Sequence, residues 1–305
     1  MLTASTNRGF VSNSTAKRIV GLGELVWDIF PDGERLGGAP ANVAMHSAAF
    51  GNMGILATAV GVDELGRRAI DSVSKRGVDT KYVQQNRNYP TGTVQVELRG
   101  ESPVYTIEQN VAWAHLRWND DWATLFANAD AVAFGTILQH THAGRHVLAH
   151  AKSLSHSSCV WLLDLNLRPS FVSHEAIIGA LQAADVLKLS EDEAEWLQQS
   201  MQINDLARWC FETMNMKAVA VTRGANGSRL ITPKEDLTHP GYPAAPGGDP
   251  VGAGDAFTSA LLYHLLRKSP MERTLDHANR YASWIASQRG AVPEVPRHLI
   301  QQVTA

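Results

Sequence analysis

Several things are scarce in this chain of 305 residues, and each scarcity narrows its chemistry. It has two cysteines, Cys159 and Cys210, both in apolar surroundings and not in a CxxC pair. A disulfide framework and a cysteine zinc site are therefore not expected, and a reducing compartment is. Charge of neither sign is in excess: 27 Lys and Arg against 30 Asp and Glu give a formal net charge of −3, with no block of like charge. That balance argues against a nucleic-acid partner and against an acidic membrane surface. No apolar run reaches the ~20 residues that a membrane-spanning helix needs. Residues 1–17, MLTASTNRGFVSNSTAK, lack both acidic residues and the apolar stretch of a secretory signal. The expectation is a flexible N-terminal tail, with an organelle transit peptide as the alternative, and a cytoplasmic protein.

Missing motifs remove whole enzyme classes. There is no GxxxxGK[ST], so a Walker-type phosphate loop is excluded. Gly21-Leu-Gly23 follows a strand candidate, but the third glycine of a dinucleotide fingerprint would fall on Val26, which argues against a Rossmann dehydrogenase. HExxH and GxSxG are absent as well.

What is present is an apolar fraction of 44%, ample for a large core. Strand candidates are 19–27, 55–61, 131–135, 160–166, 185–189 and 218–222. Helical patterns follow most of them, at 41–50, 65–76, 144–154, 175–183, 192–198 and 206–214, and dominate from 254 to about 288 with a break at Ser269-Pro270. Near-continuous apolar strands alternating with helices imply an α/β fold with a mostly parallel sheet covered on both faces. One segment departs from this rhythm. In TGTVQVELRG, Val94, Val96 and Leu98 alternate with polar residues, GESP supplies a turn, and VYTIEQN returns. The hairpin from Thr93 to about Asn110 is either a lid or a plain surface hairpin.

Two glycine-rich segments carry the chemistry. GGDPVGAGDAF, residues 247–257, runs into the apolar helical face of Ala256, Phe257, Ala260, Leu261 and Leu265. Bare backbone at a helix N-terminus offers free N–H donors and partial positive charge, which suits phosphate. Asp255 beside such an anion hole can take a proton from a hydroxyl while the amides hold the charge developing on a phosphoryl group. The competing reading is that Asp255 merely caps the helix. The other segment is Asp28 followed by LGGAPANVAMHSAAFG. Here Asp28 ends the first strand and Asn42 stands near a helix start, a suitable set for vicinal hydroxyls. A strand-end turn and an N-cap are the plainer roles for these two.

Together the segments resemble the ribokinase-like, or PfkB, carbohydrate kinase family. GGAPANVA (37–44) is similar to its first signature and DPVGAGDAF (249–257) to its second. GVDELGRRAIDSVSKRGVDT, LDLNLRP, ADVLKLSEDEAEWL and VTRGANGS follow in order between them. The resemblance runs from about Ile19 to Pro296. It implies a ribokinase-like three-layer sandwich over residues 18–305, with a small β-sheet lid from about 30–36 and 91–112. It also implies an ATP-dependent kinase that uses Mg²⁺. Asp255 would be the catalytic base, and the amides of Gly252, Ala253 and Gly254 the anion hole. Asp28, Gly38 and Asn42, with Arg168, would bind the sugar. Lys188, Thr222, Gly224, Gly227 and Asn279 would border the nucleotide, and Glu193 would organise Mg²⁺ through water. Two positions depart from the family. Ser190 stands where the N-x-x-E motif has Asn, and Pro250 where many members have Thr. The second departure leaves a K⁺ site at Asp249 open. GELVWDIFPDGERLGGAPANVA and EQNVAW look most like fructokinase members, so D-fructose is the expected acceptor. 2-Keto-3-deoxygluconate, ribose or a nucleoside are alternatives, as is a non-catalytic sugar sensor. The lid also implies a homodimer.

Overall fold

The computed structural model describes residues 16–99, 102–168 and 173–305, with side chains of 96–99 and 102–105 left aside. Residues 1–15 of the expected tail, Gly100-Glu101 of the hairpin turn and Pro169 lie outside the described residues. Lys17, assigned to the tail from sequence, is already tied down: its backbone N–H donates to Asn52 Oδ1 (3.3 Å) and its ammonium pairs with Asp130 (3.0 Å).

The stretch 19–27 is two strands, and this is the first correction to the sequence reading. β1 (Arg18–Leu22) lies inside a large sheet, whereas β2 (Val26–Phe30) belongs to a small one. Gly23, at φ 147, makes the break. A Cβ on Gly21 would come within 2.0 Å of the Pro40 carbonyl oxygen, so only glycine lets the following helix pass this close. β3 (Gly33–Gly37) returns antiparallel along β2, and α1 (Ala39–Ala49) follows. Next come β4 (Met53–Gly61), α2 (Glu64–Lys75), β5 (Val83–Asn86) and the hairpin β6 (Gly92–Arg99) and β7 (Ser102–Ile107). After these the chain alternates: α3 (Asp120–Ala127), β8 (Ala131–Gly135), α4 (His142–Leu154), β9 (Val160–Asp164), α5 (His174–Ala183) and β10 (Val186–Ser190). Two helices, α6 (Glu191–Met201) and α7 (Leu206–Glu212), lead to β11 (Ala218–Thr222), β12 (Ser228–Ile231) and β13 (Asp236–His239). Three helices finish it: α8 (Ala253–Leu265), α9 (Met271–Ala286) and α10 (Arg297–Thr304).

Among the described residues the large sheet has nine strands in the order β13-β12-β11-β10-β9-β8-β1-β4-β5. It is parallel from β5 to β11 and antiparallel at β12 and β13. Both faces are covered. Along β9, Trp161 and Leu163 pack with Trp122, Phe126 and Phe134, while Leu162 points the other way towards Phe257, Leu261 and Ile285. That two-sided burial is why the central strands read as unbroken apolar runs.

The small sheet runs β3-β2-β6-β7, with β2 parallel to β6. Val26, Asp28, Val94 and Ile107 from its strands line the same cavity as Asp164, Lys188, Ser190 and Thr222 from the carboxyl ends of β9, β10 and β11. The hairpin is therefore one wall of a cavity. Trp113, next to it, is 1% exposed and sits against Gly92, where a Cβ would come within 2.7 Å of the indole; it plugs the base of the small sheet.

Candidate active site

The cavity between the two sheets encloses about 890 Å³ and reaches the first turn of α8. The N-cap of α8 is Gly252, in the left-handed region at φ 78, and no side chain caps the helix. The capping role for Asp255 is thereby excluded. It is the third residue of the helix, and its Oδ2 accepts a 2.7 Å hydrogen bond from Asn42 Nδ2. Burial, then the charge of Asp164, pushes the Asp255 carboxyl up to about 7, against the Asn42 hydrogen bond and the charges of Lys188 and Arg168. A carboxylate raised towards neutrality is a stronger base than an ordinary one, and such shifts suit acid–base chemistry.

Gly252, Ala253 and Gly254, expected to form the anion hole, all line the cavity at this turn. The Ala253 amide donates to the Pro250 carbonyl (3.1 Å), so of the three amides assigned to the hole it is the one already committed. A cation reinforces the site. A Cβ added to Gly254 would lie 2.9 Å from Lys188 Nζ. Lys188, buried on β10, pairs with both oxygens of Asp164 at 3.0 and 3.1 Å, and Asp164 also accepts from the Thr258 hydroxyl at 3.0 Å. Burial opposes the charge on Lys188, but Asp164, with help from Glu193 and Asp255, outweighs it and holds the ammonium pKa above its ordinary value. Backbone amides at a helix N-terminus with a fixed ammonium beside them form a phosphate-binding arrangement.

Opposite the helix, Asp28 and Arg168 line the cavity with Gly38 and Asn42. Asp28 is not the end of a main-sheet strand, as the sequence suggested; it sits mid-strand in β2 of the small sheet, across from Arg35. Burial raises its carboxyl to about 6 against the charges of Arg168 and Arg35. Asn42 lies one turn inside α1, whose N-cap is Gly38 at φ 111, so Asn42 is not a cap either. Arg168 is half-buried, donates to the Leu167 carbonyl at 3.0 Å, and its charge reaches Asp28, Asp255 and Glu24.

Glu24 was missed. It is buried at the cavity wall, where Oε1 accepts the Ala39 amide of α1 at 3.3 Å and Oε2 has no partner. Burial, with the Asp255 charge adding to it, raises its carboxyl to about 7 despite backbone hydrogen bonds and Arg168. The available signal was a lone charge in the otherwise apolar 19–27 run, just after a glycine. Asp164 was also missed; its clue was an acid closing an apolar strand that carries no other charge.

Thr222, Gly224, Gly227 and Asn279 also line the cavity. Gly227 is at φ 83, and a Cβ there would come within 2.0 Å of the His239 carbonyl oxygen. Asn279 Nδ2 donates to Ser228 Oγ and to the Leu275 carbonyl, each at 2.7 Å. Glu193 forms a capping box with Ser190: Ser190 N–H donates to Oε2 (2.7 Å), Ser190 Oγ accepts the Glu193 amide (3.2 Å), and Leu167 N–H donates to Oε1 (2.6 Å). A serine at the Asn position of the motif is thus a good N-cap that leaves Glu193 in place. Asp249 is drawn aside. Its oxygens accept the amides of Val251 (3.1 Å) and Gly290 (3.2 Å). Among the described residues no group of three His, Cys, Asp or Glu side chains could hold a metal ion, and no helix is long and apolar enough to cross a membrane.

The chain as a whole resembles known proteins. The profile of the pfkB family carbohydrate kinases matches residues 15–297. A fructokinase of Salmonella typhimurium is 29% identical over 297 residues, covering 90% of this chain and 95% of that protein. An uncharacterized sugar kinase from Pyrococcus horikoshii, solved in complex with ATP, superimposes with a TM-score of 0.76 at 28% identity over 90% of this chain and 93% of its own. A fructokinase from Vibrio cholerae O395, solved with fructose, ADP and calcium ion bound, gives a TM-score of 0.77 at 25% identity over 95% of this chain and 99% of its own.

Proposed function

The chain belongs to the pfkB family of carbohydrate kinases, and from that premise we propose that it transfers the γ-phosphate of ATP to the primary hydroxyl of D-fructose, giving fructose 6-phosphate. The observation that carries the reading is Asp255: a buried carboxyl that titrates at about 7, held by Asn42 at the start of a phosphate-binding turn. Ionised Asp255 takes the proton from the sugar hydroxyl as its oxygen bonds to the γ-phosphorus. The bond from that phosphorus to the β,γ-bridging oxygen breaks, and ADP leaves. The amides of Gly252 and Gly254, with that of Ala253 at the edge, and the Lys188 ammonium stabilise the charge on the transferring group. Thr222, Gly224, Gly227 and Asn279 bound the nucleotide. Glu193 uses its oxygens on backbone amides, yet each retains acceptor capacity for water. It is the side chain suited to hold metal-bound water, and a bound Mg²⁺ would neutralise the phosphate charge. K⁺ remains a candidate activator through main-chain carbonyls near Asp249, whose own carboxylate is engaged.

Asp28, Gly38, Asn42 and Arg168 form the sugar end. Its charge favours a neutral polyol. A sugar acid such as 2-keto-3-deoxygluconate would set its carboxylate beside Asp28, Glu24 and Asp255, with Arg168 as the single lining guanidinium among the described residues. The small sheet covers the acceptor and excludes water, which would otherwise take the phosphoryl group. A homodimer through that sheet and a cytoplasmic location complete the proposal.

The test is ADP release with Mg-ATP across fructose, ribose, glucose, 2-keto-3-deoxygluconate and adenosine, with and without K⁺. Fructose is expected to give the highest kcat/KM. A faster rate with another acceptor would overturn the fructose assignment while leaving phosphoryl transfer intact.

A further inference from the structure

His46, which the mechanism above does not use, lies one helical turn beyond Asn42 on the same side of α1 and is fully buried. Its Nε2 is 3.1 Å from the Ala291 carbonyl oxygen and its Nδ1 2.8 Å from the Tyr281 hydroxyl of α9. A carbonyl can only accept, so Nε2 carries the proton; Nδ1 is then the acceptor, and Tyr281 donates to it. Burial pushes the imidazole pKa down to about 3, which keeps this tautomer neutral throughout the working range of pH.

The acceptor at the end of this relay is not an arbitrary loop atom. Ala291 lines the cavity and backs the N-cap of α8: a Cβ on Gly252 would lie 2.5 Å from Ala291 Cα and 2.7 Å from its carbonyl oxygen. The same segment is fixed at its other points. Arg76 donates to the Val292 carbonyl, Asp249 accepts the Gly290 amide at 3.2 Å, and the Asp249 amide donates to the Gln288 carbonyl at 2.9 Å. Successive turns of α1 thus hold the two halves of the reaction centre, Asn42 the base and His46 the strap behind the phosphate-binding turn.

We propose that His46 is a positioning residue for phosphoryl transfer: oriented by Tyr281, it holds the Ala291 carbonyl so that residues 288–292 keep Gly252 and the first turn of α8 aligned with Asp255. The proposal rests on the kinase reading. A displaced anion hole is penalised mainly in the transition state, so kcat is the parameter that responds.

The experiment compares His46→Leu, His46→Gln and Tyr281→Phe, with Phe50→Leu as a packing control, since the Phe50 ring lies tilted against Tyr281 at 4.7 Å between ring centroids. Steady-state kcat, sugar KM and the melting temperature are measured for each. For His46→Leu, kcat is expected to fall by roughly ten- to a hundredfold with sugar KM within about twofold. His46→Gln, which keeps a donor near the Nε2 position, is expected to recover most of the loss. Tyr281→Phe, which releases the tautomer, should lower kcat less. Phe50→Leu should lower the melting temperature and leave kcat alone. Folded His46→Leu with wild-type kcat, or a loss of kcat in Phe50→Leu equal to that of His46→Leu, overturns the proposal. If His46→Leu does not fold, Tyr281→Phe decides: unchanged kcat overturns the proposal, and reduced kcat with unchanged sugar KM supports it. Wild-type enzyme with no acceptor-dependent ADP release overturns the kinase reading itself, and this inference with it.

Discussion

Replacing Asp255 by Asn should make the protein more stable and nearly inactive, and the two effects should separate with pH. The side chain keeps its size and its acceptor oxygen for Asn42, but it can no longer ionise. In the folded protein the Asp255 carboxyl titrates at about 7 against an ordinary value of 3.8, chiefly because it is buried. A shift of about 3 pH units at ~1.4 kcal/mol each amounts to roughly 4 kcal/mol. The sign follows from proton binding. Below pH 3.8 both folded and unfolded chains hold the proton, and the group has no effect on stability. Between there and about 7 the unfolded chain ionises while the folded one does not, so stability falls as pH rises. Above that the full penalty is present. Asp255→Asn removes it, so the variant should gain up to about 4 kcal/mol at pH 8 and almost nothing at pH 4. Its kcat should fall by roughly 10²–10⁴, the usual consequence of losing a general base. Thermal melts at the two pH values, together with ADP release at pH 8, check both effects. Wild-type-like turnover in the variant, or a gain in melting temperature as large at pH 4 as at pH 8, would refute the reasoning.

The same electrostatics makes further predictions. In the wild type, kcat/KM for the sugar should drop about tenfold per pH unit below neutrality, as Asp255 takes up its proton. Because Glu24 and Asp255 repel each other, Glu24→Gln should move that acid limb to lower pH, which a pH–rate profile of the variant reads directly. Gly254→Ala should fold with a near wild-type melting temperature but raise KM for ATP, since its methyl meets Lys188 Nζ at 2.9 Å. Gly252→Ala, at φ 78 and 2.5 Å from the Ala291 backbone, should instead lower the melting temperature. Lys188→Met leaves the buried Asp164 charge without its ion pair, keeping the Thr258 hydroxyl, and should cost about 3–5 kcal/mol in denaturant melts. Adding Asp164→Asn should recover much of that stability and none of the activity.

Much of the fold is legible in residue order because the central strands are buried on both sides. Ala131–Gly135 and Ala218–Thr222 form strands at the bounds the apolar runs suggest. β5, β12 and β13 were not expected: they lie at or near the edges, and a sequence such as VQQN carries no apolar run. α3 and α10 were not expected either. The 19–27 stretch misled because its residues are apolar apart from Glu24 and two glycines. What divides it is a glycine conformation at Gly23 and the close pass of Pro40, and neither has a signature in hydrophobic periodicity.

The site divides along similar lines. Sequence alone determined the chemical inventory: a glycine-rich turn opening a helix, an acid within it, and an Asp and Asn near a second glycine pair. Those depend on local backbone geometry, which residue type dictates. It could not decide what Asp255 does, because capping and base catalysis require the same residue at the same place. Tertiary structure removed the capping role, by supplying Gly252 as the cap, and brought Asn42 to Asp255 from a helix 213 positions away in the chain. It also decided protonation. A carboxyl is tuned to about 7 only by burial and by the other charges around it, here Asp164, Lys188 and Arg168. Those groups converge because parallel strands all end on one edge of the sheet, a property of how the strands pack that no single segment carries.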